Sequence, residues 1–205
     1  AIARVLKRFP AQVVHANFIF PNGFLGRQIK RGYDLPLVVH ERSPQRLEAA
    51  RSHAWRGAIY RRVIREADAV FGNSRHVAES VRRSYGVEAS AMHSGIDRRF
   101  YYPAGELTGS RPRGPDGLIV LHAGSFRAYK RIDLIIAHAA RRPGVRFRLA
   151  GHGEEQGACR ELAARLGCGN VSFLGQLSSS ALGEEMRRAD VFFFPSVVEG
   201  HPQVL

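Results

Sequence analysis

The sequence predicts an α/β protein in which helices cover parallel sheets. Between Leu118 and Leu205, short continuous apolar runs alternate with amphipathic segments, which is typical of parallel strands joined by helices. The first three runs end in glycine, at Gly124, Gly151 and Gly175. Glycine lets the backbone approach a ligand closely, and open parallel sheets bind ligands beyond the carboxyl ends of their strands. We therefore expect a binding crevice at this edge of the sheet.

The amino-terminal half shows the same alternation. Apolar runs predict strands over 12–16, 37–40, 69–72 and 89–93, and helical periodicity predicts helices over 1–10, 24–31, 45–66 and 75–85. The helix over 45–66 is expected to break near Ser52-His53 and to pack Trp55, Ile59 and Val63 inward. Ser74 is the expected N-cap of the helix that follows it, and Gly86 its end.

The carboxyl-terminal half supplies the remaining elements. The predicted strands are LIVLHAG, VRFRLAG, NVSFLG and ADVFFFPS, and the predicted helices are KRIDLIIAHAA, EEQGACRELAARLG and SSSALGEEMRRA. A stretch rich in proline, glycine and polar residues separates the halves and indicates a linker. We predict an amino-terminal domain over 1–103, a linker over 104–116 and a carboxyl-terminal domain over 117–205.

Composition limits the classes of protein. The 205 residues are 44% hydrophobic, which argues against a disordered chain. No apolar run reaches the roughly 18 residues of a membrane-spanning helix, the first residues lack a signal-peptide pattern, and the two cysteines suggest neither a disulfide framework nor a metal site. The expected setting is therefore cytoplasmic and reducing.

The charge is strongly positive and unevenly distributed. The net charge is +13, and residues 1–103 carry 18 Lys and Arg against 8 Asp and Glu, whereas residues 104–205 carry 13 against 10. A basic amino-terminal half favours an anionic partner, which could be a nucleotide phosphate, an anionic lipid or a nucleic acid. Nucleic-acid binding is disfavoured, because it requires exposed aromatics among the cations and the aromatics here fall mostly in predicted strands.

Two residues of the carboxyl-terminal half suggest ligand chemistry. Lys130 is expected to open the helix after the first strand there, with Arg127 nearby, and cations at a helix N-terminus suit phosphate. A solvated basic loop is the alternative. Glu199 follows the fourth strand and suits sugar or ribose hydroxyls, although most loop carboxylates are only solvated. His15 and His40 end strands of the other half, where a structural histidine is the alternative to a ligand contact.

The order and spacing of several runs resemble a known family. HAGSFRAYKRIDLIIAHA, LAGHGEE, VSFLGQL and ADVFFFPSVVEGHPQVL resemble the carboxyl-terminal domain of the retaining GT-B glycosyltransferases of family 4. VVHANFIFPNG, ADAVFGNSRHVAESVRRSYGV and SGIDRRFYYP resemble the amino-terminal domain. The resemblance implies two Rossmann-like domains with parallel sheets. Because the chain starts inside a helix-like run and stops inside a motif, we expect an internal fragment with both domains incomplete, inactive by itself.

The resemblance also implies an activity. A sugar would pass from a nucleotide-sugar, UDP- or GDP-linked, to a sugar, lipid-linked or small-molecule acceptor with retention of configuration, and no metal or other cofactor would be needed. It assigns catalytic roles to Lys130, Arg127, Glu199 and His40. It assigns donor binding to Gly124, Ser125, Lys130, Gly151, Glu199, Gly200, His201 and Pro202, and the acceptor side to His15, Asn22, Gly23, His40 and Arg42.

The chain departs from the family at one catalytic position. Ser125 stands where an arginine usually follows the strand-end glycine. Either Arg127 or the serine hydroxyl with backbone N–H groups is the expected substitute. The second glutamate of the family's E-x7-E pattern would fall beyond Leu205. A catalytically degenerate homologue and a GT-B sugar-nucleotide epimerase therefore stay open as alternatives. A Rossmann dehydrogenase is disfavoured, because no G-x-G-x-x-G follows a predicted strand.

A group of arginines predicts a binding surface on the helix over 45–66. Arg51, Arg61, Arg62 and Arg65 lie on the outer faces of the predicted helix over 45–66. Family members that glycosylate lipid-linked acceptors suggest peripheral contact between this surface and an anionic membrane. A solvated basic face is the alternative.

Overall fold

The computed structural model describes residues 2–102, 117–202 and 204. Two compact units emerge from the residue contacts: Ala1–Gly95 with Glu199–Gln203, and Ile96–Val198 with Val204–Leu205. We call them the first and the second unit. The predicted linker over 104–116 lies outside the described residues.

The first unit is a four-stranded parallel sheet with helices. Its strands are β1 Val14–Asn17, β2 Leu37–Glu41, β3 Ala69–Gly72 and β4 Ser90–Ala91, in the order β1-β2-β3-β4. Its helices are α1 Ile2–Arg8, α2 Phe24–Tyr33, α3 Pro44–Arg51, α4 Ala54–Glu66 and α5 Arg75–Tyr85, with a short irregular helical turn at Ile19–Gly23.

The predicted break in the long helix is confirmed, but its predicted core face is only partly right. Helix α3 ends at Arg51 and α4 begins at Ala54. Val63 is fully buried and Ile59 is half-buried, whereas Trp55 is 55% exposed. Trp55 lies in the first turn of α4, where the guanidinium of Arg56 covers its ring. The helix instead buries Tyr60 beside Val63.

Local signals set the ends of α5 as expected. The Ser74 hydroxyl accepts a hydrogen bond from the Val77 N–H at 3.2 Å, and Gly86 ends the helix in the left-handed conformation with φ of 64°. These contacts satisfy donors and acceptors that the helix itself leaves free.

The second unit is another parallel four-stranded sheet. Its strands are β5 Leu118–Ala123, β6 Val145–Ala150, β7 Val171–Gly175 and β8 Val191–Phe192, in the order β7-β6-β5-β8. Its helices are α6 Ile132–Ala140, α7 Gln156–Arg165 and α8 Ser179–Arg188, with a 3-10 turn at Ala128–Lys130. Strand β5 lies between β6 and β8, so its carboxyl end is central in the sheet.

The segment Ile96–Tyr102 packs on α8 and therefore clusters with the second unit. A Cβ atom on Gly183 would lie 2.4 Å from the Phe100 carbonyl oxygen. Arg187 donates a hydrogen bond to that carbonyl at 3.0 Å, and its guanidinium lies 4.5 Å from the centre of the Tyr102 ring. The close approach at Gly183 requires a residue without a side chain.

The two sheets share one arrangement of hydrogen bonds at an aspartate. In the first unit, the Asp68 carboxylate accepts from the Leu37 N–H, and the Asp68 N–H donates to the Leu37 carbonyl at 2.9 Å. In the second unit, Asp190 makes the same pair of bonds with Ile119. Each aspartate directly precedes a strand. Its partner is the first residue of the neighbouring strand for Leu37 and the second for Ile119. These reciprocal bonds fix the register at the amino ends of the strands.

Candidate functional site

In the second unit, the carboxyl ends of β5, β6 and β7 meet at one cavity. Its volume is about 260 Å³, and three of the predicted donor residues line it, namely Gly124, Ser125 and Gly151, together with His152 and Gln176. The prediction of one crevice at the glycine-ended strands is therefore matched for Gly124 and Gly151, whereas Gly175 and Glu199 are not among the residues that line this cavity.

The backbone at Gly151 leaves no room for a side chain. Its φ is +126°, and a Cβ atom there would lie 1.8 Å from the Gly124 carbonyl oxygen. The Gly151 N–H donates to the Gly175 carbonyl at 2.7 Å, and the Gly124 N–H donates to the Ala150 carbonyl at 3.0 Å. Gly151 therefore serves to bring the ends of three strands together.

Lys130 lies in the 3-10 turn that follows β5, not at the start of a helix as predicted. Arg131 has a left-handed backbone with φ of 53°, and α6 begins only after it. The Lys130 side chain is buried, with 8% of the residue exposed. The loop after β8 holds the turn, because the Tyr129 carbonyl accepts from the Val197 N–H at 2.9 Å and from the Ser196 hydroxyl at 3.4 Å.

Phe194 is near both Lys130 and the end of β5. The Lys130 ammonium nitrogen lies 4.7 Å from the centre of the Phe194 ring. A Cβ atom on Gly124 would lie 3.8 Å from the edge of that ring. Lys130 does not line the glycine cavity itself, but its ammonium and Gly124 are both near the Phe194 ring.

Arg127 lies at a different groove from the glycine cavity. Its side chain is exposed and lines a separate groove of about 320 Å³ with Arg131, Asp133 and Glu155. Arg131 and Asp133 form an ion pair at 3.0 Å in this groove. The structure therefore does not place Arg127 among the residues that line the glycine cavity, where a substitute for the family arginine would be expected.

The sequence analysis missed His122, which is fully buried in β5. Its Nδ1 lies 3.0 Å from the Phe193 carbonyl oxygen, so Nδ1 carries the proton and donates. Burial lowers the pKa of His122, the bond to Phe193 acts in the opposite direction, and the charge of Lys130 lowers the pKa further. The available signal was a single polar residue within the apolar run LIVLHAG.

The segment Glu199–Gln203 clusters with the first unit. A Cβ atom on Gly200 would lie 2.5 Å from the Arg42 carbonyl oxygen and 3.2 Å from the side-chain amide of Asn73. The ring of His201 lies 5.1 Å from that of His93. Glu199, Gly200 and Pro202 are half-buried. Among the residues predicted to bind the donor after β8, Gly200 thus packs beside Arg42, which was predicted on the acceptor side.

His15 and His40 lie close together in the first sheet. His40 is near the carboxyl end of β2, as predicted, whereas His15 is the second of the four residues of β1 and does not end its strand. Their rings stack with centroids 5.9 Å apart and an interplanar angle of 13°. His40 is buried and His15 is exposed. Burial lowers the pKa of His40, and the neighbouring charges of Arg42 and His15 lower it further, while a hydrogen bond to the Met92 backbone raises it. A neutral imidazole can both donate and accept a hydrogen bond.

Glu41, at the end of β2, was also missed as a site residue. Its carboxylate is fully buried and accepts from the N–H groups of Ile19 at 3.2 Å, Arg42 at 2.9 Å and Ser43 at 2.9 Å. Burial raises the pKa of Glu41, and these three bonds act in the opposite direction. The carboxylate thus connects the loop after β1 with the loop after β2. Both loops contain residues predicted for the acceptor side.

The other predicted acceptor-side residues lie in the same two loops. Asn22 donates to the Asn17 carbonyl at 2.9 Å, and Gly23 donates to the Phe18 carbonyl at 3.0 Å. A Cβ atom on Gly23 would lie 2.9 Å from a methyl carbon of Val63, so Gly23 serves helix packing. The structure brings all five predicted acceptor-side residues into the first unit.

The part of the chain that the structure describes contains neither a metal-binding cluster nor a membrane-spanning helix. Within 2–102, 117–202 and 204, no group of three or more His, Cys, Asp or Glu side chains is arranged to hold a metal ion. None of the helices in these ranges has the length and apolar character needed to cross a membrane.

Comparison with known proteins relates both halves to glycosyltransferases. Residues 1–100 match the family model Glycosyltransferase Family 4, and residues 107–205 match the model Glycosyl transferases group 1. D-inositol 3-phosphate glycosyltransferase of Mycobacteroides abscessus is 28% identical over 157 residues, which cover 71% of this chain and 35% of the relative. EpsF of Bacillus subtilis, a glycosyltransferase by assignment, is 27% identical and is matched over 96% of this chain and 54% of its own length.

Solved structures show the same fold. Anabaena HepE in complex with UDP and glucose superposes with a TM-score of 0.79 at 19% identity, over 99% of this chain and 58% of HepE. WaaG, a glycosyltransferase involved in lipopolysaccharide biosynthesis, gives a TM-score of 0.69 at 18% identity, over 97% of this chain and 57% of WaaG. The chain thus spans about a third to about half of the curated relatives. Taken together, the two family models and the shared fold show that this chain belongs to the GT-B glycosyltransferases of the family 4 and group 1 type.

Proposed function

We propose that the chain carries the donor site and the acceptor side of a glycosyltransferase that uses a nucleoside-diphosphate sugar. The donor is a UDP- or GDP-sugar, the acceptor is a sugar, a lipid-linked or a small molecule, and the configuration is retained. Support for a UDP donor comes from HepE, whose structure holds UDP and glucose.

The observation that carries the proposal is the buried Lys130 beside the glycine cavity. When a glycosidic bond to a nucleoside diphosphate breaks, negative charge develops on the leaving diphosphate. A fixed cation in a site that excludes water stabilises this charge strongly. Lys130 is 8% exposed, and the Phe194 ring that contacts its ammonium also approaches Gly124, which lines the cavity with Ser125 and Gly151. We propose that the cavity receives part of the nucleotide and that Lys130 binds its diphosphate.

We further propose that the step requires no metal ion. Lys130, the Ser125 hydroxyl and backbone N–H groups of the turn would supply the positive charge and the donors that the diphosphate needs. Glu199 would accept hydrogen bonds from the donor sugar hydroxyls. On the acceptor side, His40 in its neutral form would contact a sugar hydroxyl, with His15, Asn22 and Arg42 around it.

Thermal unfolding of the chain in the presence of UDP, GDP and ADP tests the donor site. A ligand that binds only the folded state at a hundred times its Kd stabilises it by about 2.7 kcal/mol. We expect one nucleotide to raise the Tm by several degrees, the same rise in EDTA, and no rise in Lys130→Ala. A cooperative transition that none of the three nucleotides moves would contradict the proposal.

Ser125 favours one second candidate, a homologue that binds the nucleotide without transferring sugar. It stands where the family places an arginine, and the structure puts Arg127 in a different groove. The two functions separate when the nucleotide that gives the thermal shift is supplied as its sugar conjugate. Release of the free nucleoside diphosphate supports transfer, and tight binding with no release supports the non-catalytic homologue.

We also propose that the first unit contacts anionic membrane at the cytoplasmic face. Arg61, Arg62 and Arg65 are exposed and line a groove of about 490 Å³ between α2 and α4, with Arg27 and Phe24. Arg27 is buried and paired with a glutamate of α4 at 2.7 Å, which leaves the three exposed arginines as the available charges of the groove.

Liposome flotation tests the membrane contact. Each arginine near an anionic surface contributes about 1 kcal/mol, so changing Arg61, Arg62 and Arg65 together to Ser should lower binding to phosphatidylserine vesicles by about a hundredfold. The matched control changes the exposed Arg75, Arg82 and Arg83 of α5 to Ser, which removes the same charge. Equal losses in both variants would show a non-specific charge effect, and no binding by the parent chain would reject the contact.

A further inference from the structure

The Phe194 ring contacts the ammonium of Lys130 and two further aromatic rings. It stacks with His122, with centroids 5.7 Å apart and an interplanar angle of 19°, and with Phe192, at 6.0 Å and 20°. The Lys130 ammonium nitrogen lies 4.7 Å from the centre of the same Phe194 ring and 5.4 Å from that of Tyr129. A cation within about 6 Å of a ring centre is attracted by the negative face of the ring, more strongly where water is excluded.

His122 also holds the Phe194 ring in place. It is fully buried, and its Nδ1 donates to the Phe193 carbonyl, the residue directly before Phe194. This bond and the ring stacking hold both the backbone and the side chain of Phe194. In this tautomer the unprotonated Nε2 of His122 has no hydrogen-bond partner among the described residues. His122 is neutral in this tautomer, so the positive charge at the Phe194 ring comes from Lys130.

The turn that carries Lys130 and the loop that carries Phe194 are also joined. Ser196 and Val197 both donate to the Tyr129 carbonyl. These bonds join the backbone next to Lys130 to the backbone that follows Phe194. A lysine side chain has several rotatable bonds, and its conformational freedom opposes any fixed position of the ammonium. The ring and the backbone bonds together restrict that freedom before a ligand arrives.

We propose that Phe194 is a positioning residue for Lys130, holding its ammonium where it meets the diphosphate of the donor, and that His122 keeps the Phe194 ring in place. The proposal rests on the proposed function of Lys130 and adds how its charge is fixed. The loss of a cation–π contact in a desolvated site corresponds to a loss of about tenfold in affinity.

NMR of labelled lysine measures the contact without any ligand. The chain has only three lysines, Lys7, Lys30 and Lys130, so selective labelling gives three side-chain ε-CH2 signals, which Lys→Arg changes assign. The ring current of Phe194 should move the Lys130 signal upfield of the other two, with an NOE to the Phe194 ring protons in the parent chain. Phe194→Leu should remove the upfield shift, whereas Phe194→Tyr and the control Phe192→Leu should keep most of it.

Titration with UDP completes the test. We expect Phe194→Leu to weaken UDP binding about tenfold, Phe194→Tyr to restore it, and Phe194→Leu to have no further effect in a Lys130→Ala background. Uridine, which lacks phosphates, should bind equally to the parent and Phe194→Leu. An absent NOE, a Lys130 signal that Phe194→Leu does not move, or equal losses with UDP and uridine would overturn the positioning role alone. A parent chain that shows the NMR contact but binds no UDP would overturn the proposed function, and with it the role toward diphosphate.

Discussion

Lys130→Ala is expected to weaken UDP binding by about a hundredfold while uridine binding stays unchanged. A charge-assisted contact contributes about 1.5–3 kcal/mol, and burial of Lys130 places this contact at the upper end because little solvent screens it. Removing the ammonium also leaves a space beside Phe194 that solvent can enter. Isothermal titration with UDP, UMP and uridine measures the effect, and the loss should be greatest for UDP and absent for uridine.

Two variants make the result specific. Lys130→Arg keeps the charge and can also stack on the ring, but its larger planar guanidinium must fit a buried site occupied by a compact ammonium, so we expect an intermediate loss. Arg127→Ala removes a cation three residues earlier whose side chain is exposed, and exposed charges contribute little. We expect a loss of about threefold there. If Arg127→Ala weakens UDP binding as much as Lys130→Ala, Arg127 is the substitute for the family arginine after all.

Gly151→Ala is expected to destabilise the second unit by roughly 4 kcal/mol. Left-handed backbone at a residue with a side chain costs about 1–3 kcal/mol, and the new Cβ atom would lie 1.8 Å from the Gly124 carbonyl oxygen, which adds an overpacking cost of about 1–3 kcal/mol. The neighbour in this clash is backbone, which cannot rotate away. Thermal unfolding by circular dichroism should show the Tm lowered by about 10 °C, and the glycine cavity should lose its shape.

Gly157→Ala is the matched control. Gly157 lies in α7, and a Cβ atom there meets nothing within 4 Å. Alanine in a helix is more favourable than glycine by about 0.5–1 kcal/mol, so this variant should unfold at the same temperature or slightly higher. Equal Tm values for Gly151→Ala and Gly157→Ala would show that the strand ends can separate without cost, contrary to the geometry described above.

Much of the fold could be predicted from the sequence because the signals are local. Apolar runs in the chain are the strands of two parallel sheets, and Ser74 and Gly86 set the ends of α5 through bonds within a few residues. The position of Lys130 relative to α6 was wrong for a physical reason. Arg131 takes a left-handed conformation, which few non-glycine residues adopt and no local pattern announces.

The parts of the site that sequence reasoning missed depend on distant contacts. Glu41 follows an apolar run and His122 lies within one. Their burial is tolerated because backbone groups of distant residues form hydrogen bonds with them. The packing of Gly200 against Arg42 joins residues more than 150 positions apart and so leaves no pattern in the sequence. In contrast, Gly124, Ser125 and Gly151 were found because strand ends of a parallel sheet always meet at one edge.

The reciprocal bonds of Asp68 with Leu37 and of Asp190 with Ile119 separate two tasks that a buried strand usually performs together. In most sheets the apolar side chains must both fill the core and select the correct alignment of the strands. Here a carboxylate and its own N–H select the alignment at one end of each sheet, so the apolar side chains are left to fill volume. Such an arrangement makes the interior of each sheet open to substitution: combinatorial libraries could vary the apolar residues of β2 and β5 widely, provided that the two aspartates are kept.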